Sequence, residues 1–254
     1  MKKALFAFML VAAFALVAAA QDSKVGTLTA SRAGNASASR STSPVWGLPS
    51  VPGSAILFYG GDINVNDPNA QGFANENTLL VSQAQTYGAV NSPTTNNVVV
   101  TGAFGNNAGF GDFFDPAQGT YDVRTGVSEG NGGTSILSGT GNQSATATGR
   151  DPFGLIEYTT FVRFAKAITS TPGTTYWVNE TPQCTNSGDS NCSGAEYFLS
   201  NTTQETNSVN GYAQPAGQIF FNSTYFGFTW TNWCDASLGQ NSQQCARASF
   251  GLTR

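Results

Sequence analysis

Apolar and polar positions alternate along this chain in short stretches. In Tyr121-Asp122-Val123-Arg124-Thr125-Gly126-Val127, Tyr121, Val123 and Val127 fall on one face while Asp122 and Arg124 fall on the other, the period-two pattern of a half-buried strand. The stretch Ile156 to Phe164 repeats it, with Ile156, Tyr158, Val162 and Phe164 expected inward and Glu157, Thr159, Phe161 and Arg163 outward. Near the end Phe226, Phe228 and Trp230 share one face, with Ile219-Phe220-Phe221 as their partner across the turn-forming Asn222-Ser223. Further strands are expected at Ala55–Tyr59, Thr78–Gln83, Val98–Phe104, Ser135–Gly139, Thr175–Asn179 and Tyr197–Ser200. Gly130-Asn131-Gly132-Gly133 and Pro172-Gly173 supply turn chemistry between them. Helical periodicity is thin, with a turn or two at most over Ala74–Ala84. The pattern predicts an all-β fold: a two-sheet antiparallel sandwich, jelly-roll-like, with long loops and few helices.

The two ends of the chain differ in kind. Residues 1–20 run from Lys2-Lys3 through an apolar stretch to Ala18-Ala19-Ala20, the layout of a secretory signal peptide with small residues at its cleavage point. Residues 21–53 are rich in Ser, Thr and Ala, with no aromatic before Trp46, and are expected to be a flexible linker because they offer little apolar surface to offset ordering entropy. Residues 54–254 then form a single sandwich domain. Of 254 residues, 11 are basic and 15 acidic; losing Lys2 and Lys3 with the signal leaves 9 basic residues and a charge of −6. No basic stripe remains to displace counterions from phosphates, so nucleic acid is excluded as a partner, and no later segment is apolar enough to span a membrane. The expected location is secreted, extracellular or in the periplasm and cell envelope.

Cysteine usage fits an oxidising compartment. Cys184 and Cys192 are eight positions apart and Cys234 and Cys245 eleven, which favours two nearest-neighbour disulfides over the other connectivities. Each would stabilise the fold by about 2.5–3 kcal/mol on the chain-entropy account. A four-thiolate metal site lacks any Cys-x-x-Cys knuckle.

The run Tyr121 to Thr134, followed by Thr148-Gly149-Arg150, Phe153-Gly154 and Pro172-Gly173-Thr174-Thr175-Tyr176-Trp177-Val178, resembles exported bacterial β-sandwich proteins of the kind called choice-of-anchor domains. The resemblance covers about residues 55–254 and consists of turn and strand punctuation. It implies export and a sandwich fold. It implies no activity, because the family has none established, and so carries no functional residue across.

The candidate chemistry is narrow. The chain has no His, which removes Ser-His-Asp and Cys-His catalysis and His-ligated metals. Asp62, Asn64, Asn66 and Asp67 space oxygen-bearing side chains as one loop around Ca²⁺ would, so structural Ca²⁺ is the one cofactor the sequence suggests. The competing account is a polar turn in which Asp and Asn bond their own backbone. Glu129, Glu157, Glu180 and Glu196 are the carboxylates from which a glycan-cleaving pair could be drawn, with a solvated Glu157–Arg163 ion pair as the plainer account. Trp177 and Asn179 are expected on the outward face of their strand, where an aromatic platform with an amide beside it could hold a glycan. Packing of Trp177 beneath the Cys184–Cys192 loop is the alternative. The leading expectation is a secreted, non-enzymatic binding or structural module whose partner is a glycan or another envelope component; a lectin-like domain and a glycan-cleaving enzyme are its rivals.

Overall fold

The computed structural model describes residues 27–29, 49, 51–66, 70–75, 77–78, 84–110, 118–184, 196–202, 211–215, 218–223, 227–233 and 247–254. Strands make up 65% of these and helix 2%, so the all-β expectation holds. The strands are β1 (Thr27–Thr29), β2 (Ile56–Tyr59), β3 (Gln71–Ala74), β4 (Asn77–Thr78), β5 (Ala84–Asn91), β6 (Val99–Phe110), β7 (Gln118–Thr125) and β8 (Thr134–Ala147). A 3₁₀ turn, Pro152–Gly154, leads to β9 (Glu157–Thr169) and β10 (Thr175–Cys184). Then come β11 (Glu196–Thr202), β12 (Ile219–Ser223), β13 (Phe228–Asn232), β14 (Arg247–Ala248) and β15 (Phe250–Thr253). Among the described residues no helix is long and apolar enough to cross a membrane.

Hydrogen-bonded neighbours follow the order β1-β3-β11-β6-β9-β8-β7-β10-β5-β12-β13, with β15 between β2 and β6, and β14 beside β11. All pairings are antiparallel except that of the two-residue β4 with β10. Strand β8 turns the ladder through a corner: residues 134–142 pair with β7, and residues 143–147 pair with β9. Strands that share no ladder therefore meet through their side chains. Glu180 on β10 reaches Thr160 on β9 and Asn107 on β6, and the Tyr121 hydroxyl on β7 accepts the Ala165 N–H of β9 at 3.0 Å. Between them lies an apolar core that includes Phe58, Phe73, Val123, Val162, Val178, Leu199, Phe221 and Leu252. Its rings meet at tilted angles, with Phe58–Phe250 centroids at 5.2 Å and Phe221–Trp233 at 4.6 Å, the geometry that aromatic quadrupoles favour.

Several expectations shift. Ile156, expected inward, is 58% exposed, whereas Glu157, expected outward, is fully buried. The outward face of β9 is covered at this point because Asp62, Arg150, Ser200 and Ser249 gather over Glu157 and Thr159, leaving Ile156 ahead of the covered stretch. Glu157 accordingly pairs with Arg150, and Arg163 instead donates to the Ser54 hydroxyl and the Gly53 carbonyl. Of Thr78–Gln83, only Thr78 lies in a described strand, and residues 79–83 fall outside the described residues. Strands β5 and β15 had no counterpart in the sequence pattern, and Ala74 and Ala84 belong to strands and not to a helical turn. Thr27–Thr29, inside the stretch expected to be a flexible linker, pairs with Gln71–Phe73 of β3.

Candidate functional site

Three polar clusters carry the chemistry this chain has. The first lies in the interior. Glu180 is 4% exposed, and its Oε2 accepts from the Thr160 hydroxyl at 2.8 Å and from Asn107 Nδ2 at 3.3 Å. Among the described residues its Oε1 has no hydrogen-bond partner. Burial, only partly offset by those two donors, pushes its acid well above the usual carboxylate range. Asn75 extends the cluster by donating to Asn107 Oδ1 at 3.0 Å and to the Glu180 carbonyl at 2.7 Å, and its Oδ1 accepts from Asn179 and Thr181, each at 2.9 Å.

The second cluster is ionic and sits on the opposite face of β9. Arg150 bridges Asp62 at 2.8 Å and Glu157 at 2.5 Å. The Glu157 carboxylate also accepts from the Thr148 hydroxyl at 2.8 Å and the Ser200 hydroxyl at 2.5 Å. Burial works against the Arg150 charge, but the two carboxylates outweigh it and raise its pKa. Tyr59 donates to Asp62, and its oxygen accepts from Asn106 Nδ2 at 2.7 Å; burial first, then the Asp62 charge, raises the Tyr59 hydroxyl far above its ordinary value. Thus Asp62, the first member of the Ca²⁺ loop expected from the sequence, turns its carboxylate to a tyrosine and an arginine. Asn64 accepts from the backbone N–H of Asn66 at 3.1 Å, an Asx turn on the surface, and Asp67 lies outside the described residues. Nothing among the described residues groups three or more Asp, Glu, His or Cys side chains for a metal ion.

Glu157 and Glu180, two of the four carboxylates considered for glycan cleavage, do not converge. Thr160 lies three positions after Glu157 in β9, so the pleat sends them to opposite faces, and Glu180 bonds Thr160. Glu129 is exposed at a hairpin tip, where its Oε2 accepts the Asn232 N–H at 2.9 Å. The Glu196 side chain lies outside the described set.

The third cluster surrounds the aromatic candidate. Trp177 is 8% exposed and packs with Tyr87, Ala89, Val127 and Phe220. Asn179 is 1% exposed and donates to Asn75 and to the Thr86 carbonyl, both at 2.9 Å. Both residues were expected on a wet face. Over Trp177 that face is covered because β13 and the β7–β8 hairpin tip fold across it: the Trp230 ring lies 4.8 Å from Tyr87, Arg124 stacks 4.6 Å from the Trp230 centroid, and Gly130 N–H bonds the Trp230 carbonyl at 3.0 Å, whereas Asn179 is enclosed by Asn75, Thr86 and Thr181. Asp122 accepts from Tyr87 at 2.9 Å, Ser135 at 2.6 Å and Arg124 at 2.7 Å, which fixes this cover in place. Trp230 has φ of 51°, a left-handed conformation that a bulky residue adopts only where its surroundings enforce it. Beneath it the Trp177 indole N–H is buried without a hydrogen-bond partner among the described residues.

Arg150, Asn75, Asn106, Asn107 and Asp122 were not among the candidate site residues expected from the sequence. The adjacent amides Asn106-Asn107, inside a stretch of Val, Gly, Ala and Phe, were the available signal, since amides in a buried strand need partners. Cys184 ends β10, while Cys192, Cys234 and Cys245 fall outside the described residues. In comparisons with known proteins, no protein-family model, no curated protein and no solved structure matches this chain.

Proposed function

We propose that this chain is a secreted, non-enzymatic β-sandwich of jelly-roll type, stapled by two disulfides, that works in the envelope or outside the cell as a binding or structural module. The Lys2-Lys3, apolar and Ala18-Ala19-Ala20 sequence supports export. Contacts of β10 with β6 and β9, strands it does not pair with, support two facing layers. The observation that carries the non-enzymatic reading is the use of the acidic side chains: Asp62, Asp122 and Glu157 are each engaged by internal donors, and Glu180 is enclosed, with its acid pushed above the usual carboxylate range by burial. Carboxylates so committed serve folding, as buried polar groups that are paired generally do.

A lectin-like role is the second reading. It is favoured by the Trp177 N–H, which has no hydrogen-bond partner among the described residues and lies under a half-buried Trp230, where a sugar hydroxyl would supply an acceptor. Glycan-array binding measured with Ca²⁺ and with chelator tests both readings. Binding lost in Trp177→Ala and Trp230→Ala variants that remain folded would establish the lectin role, and loss with chelator would tie it to the Asp62–Asn66 turn. Silence under both conditions leaves the structural module.

A further inference from the structure

The turn that joins β7 to β8 carries a reactive pair. Asn131 stands exposed beside Gly132, and the Gly133 N–H donates to Asn131 Oδ1 at 2.9 Å. In such a bond the Asn side chain takes the part of backbone in a tight turn, which folds its Cγ back against the next residue's nitrogen. That nitrogen, of Gly132, makes no hydrogen bond among the described residues, and a glycine sets no Cβ in the way of its approach. The Gly133 N–H polarises the Asn131 side-chain carbonyl, the placement that stabilises a developing oxyanion. Arg124 Nη1 donates at 2.7 Å to the Gly132 carbonyl, the other end of the same peptide unit, and so strengthens that donor. Ser128 and Asn131 exchange two backbone hydrogen bonds, each at 2.9 Å, which hold the pair in this arrangement.

We propose that Asn131-Gly132 is a site of spontaneous deamidation, at which the chain rewrites its own hairpin tip. The Gly132 nitrogen bonds to Asn131 Cγ, the bond from Cγ to Nδ2 breaks, and the Gly132 amide proton leaves with that nitrogen as ammonia. Water then adds across one carbon–nitrogen bond of the resulting five-membered imide. Cleavage at Cγ gives aspartate; cleavage at the main-chain carbonyl gives isoaspartate, whose main chain runs through Cγ and is longer by one methylene. That methylene falls between two fixed points, the Ser128–Asn131 bridge and the seat of Gly132 against the Trp230 ring. The tip cannot keep both, so the isoaspartyl chain loosens the cover over Trp177. The inference stands whether the module binds a glycan or serves a purely structural role.

Incubation of the purified chain in mildly alkaline buffer tests it, followed by peptide mapping in the mass spectrometer and by labelling with an isoaspartate carboxyl methyltransferase. Position 131 should become isoaspartate and aspartate. Asn131→Gln, an exposed replacement whose longer side chain closes the imide poorly, should cut labelling of this peptide about tenfold. Because the turn presets the attack, conversion in the native chain should be at least as fast as in the same chain unfolded in urea. The isoaspartyl form, separated by ion exchange, should show stronger acrylamide quenching of tryptophan fluorescence than the unmodified chain. An Asn131 that stays intact while Asn210, the other asparagine followed by glycine, converts would overturn the proposal. So would conversion slower in the native chain than in urea, or quenching that is the same in both forms.

Discussion

Burial raises the Glu180 acid, so the folded chain keeps its proton to a higher pH than the unfolded chain does. Its folded pKa lies well above 4.5 because the carboxyl is enclosed and receives only two hydrogen bonds. Above that unfolded-state value the native state binds the extra proton, so the stability this residue contributes is complete below pH 4.5 and declines as pH rises toward the folded pKa. The slope is at most about 1.4 kcal/mol per pH unit. Glu180→Gln keeps an acceptor for Thr160 and Asn107 and removes the titration. Urea unfolding at pH 5 and pH 8 should show the variant gaining on the wild type at the higher pH, and parallel curves would contradict the buried neutral acid. Arg150 presents the reverse case, a charge held by two carboxylates on the other face of the same sheet, where ionisation is what the surroundings favour.

Among the elements, the β7–β8 hairpin and β13 depend on each other. Gly132 lies flat against the Trp230 ring, and a Cβ placed there would collide with the indole. Gly132→Ala should therefore cost about 1–3 kcal/mol, and combining it with Trp230→Ala should cost less than the sum of the two, measured by chemical denaturation. Additive effects would mean that the ring does not rest on the hairpin. This dependence also explains which elements could be foreseen. The alternation in β7 and β9 marked them as strands, yet it named only one wet and one dry face, and a chain that folds back over its own sheet wets neither. Asp122, Glu157, Trp177 and Asn179 were misplaced for that single reason. Strand β5, Ala84-Gln85-Thr86-Tyr87-Gly88-Ala89-Val90-Asn91, is buried on both faces and mixes Gln85, Thr86 and Asn91 with Ala and Gly, so it shows no apolar–polar alternation. In β15 a Cβ on Gly251 would run into the Phe104 ring, and the glycine that close packing requires there is the residue that erases the strand signal.

At the scale of the whole molecule, the pairing of the sheet rests on partners distant in sequence. Strand β15 lies between β2 and β6, pairing Gly251 with both Tyr59 and Phe104, and the Ala55 and Arg254 backbones exchange two further hydrogen bonds. Removing residues 250–254 would separate β2 from β6 and open the core at Phe58, Phe104 and Leu252. Such a truncation should lose its cooperative thermal transition by circular dichroism; a sharp melt near that of the intact chain would show that β15 is dispensable. The same arrangement sets a clock. As the chain emerges from the ribosome, β2 appears long before its neighbour β15, and pairings so remote in sequence are slow to find each other. Until then neither strand can be satisfied, and the polypeptide remains pliable. Under the proposed export, that delay keeps it in a form that can be threaded through a narrow translocation channel, with folding deferred to the far side.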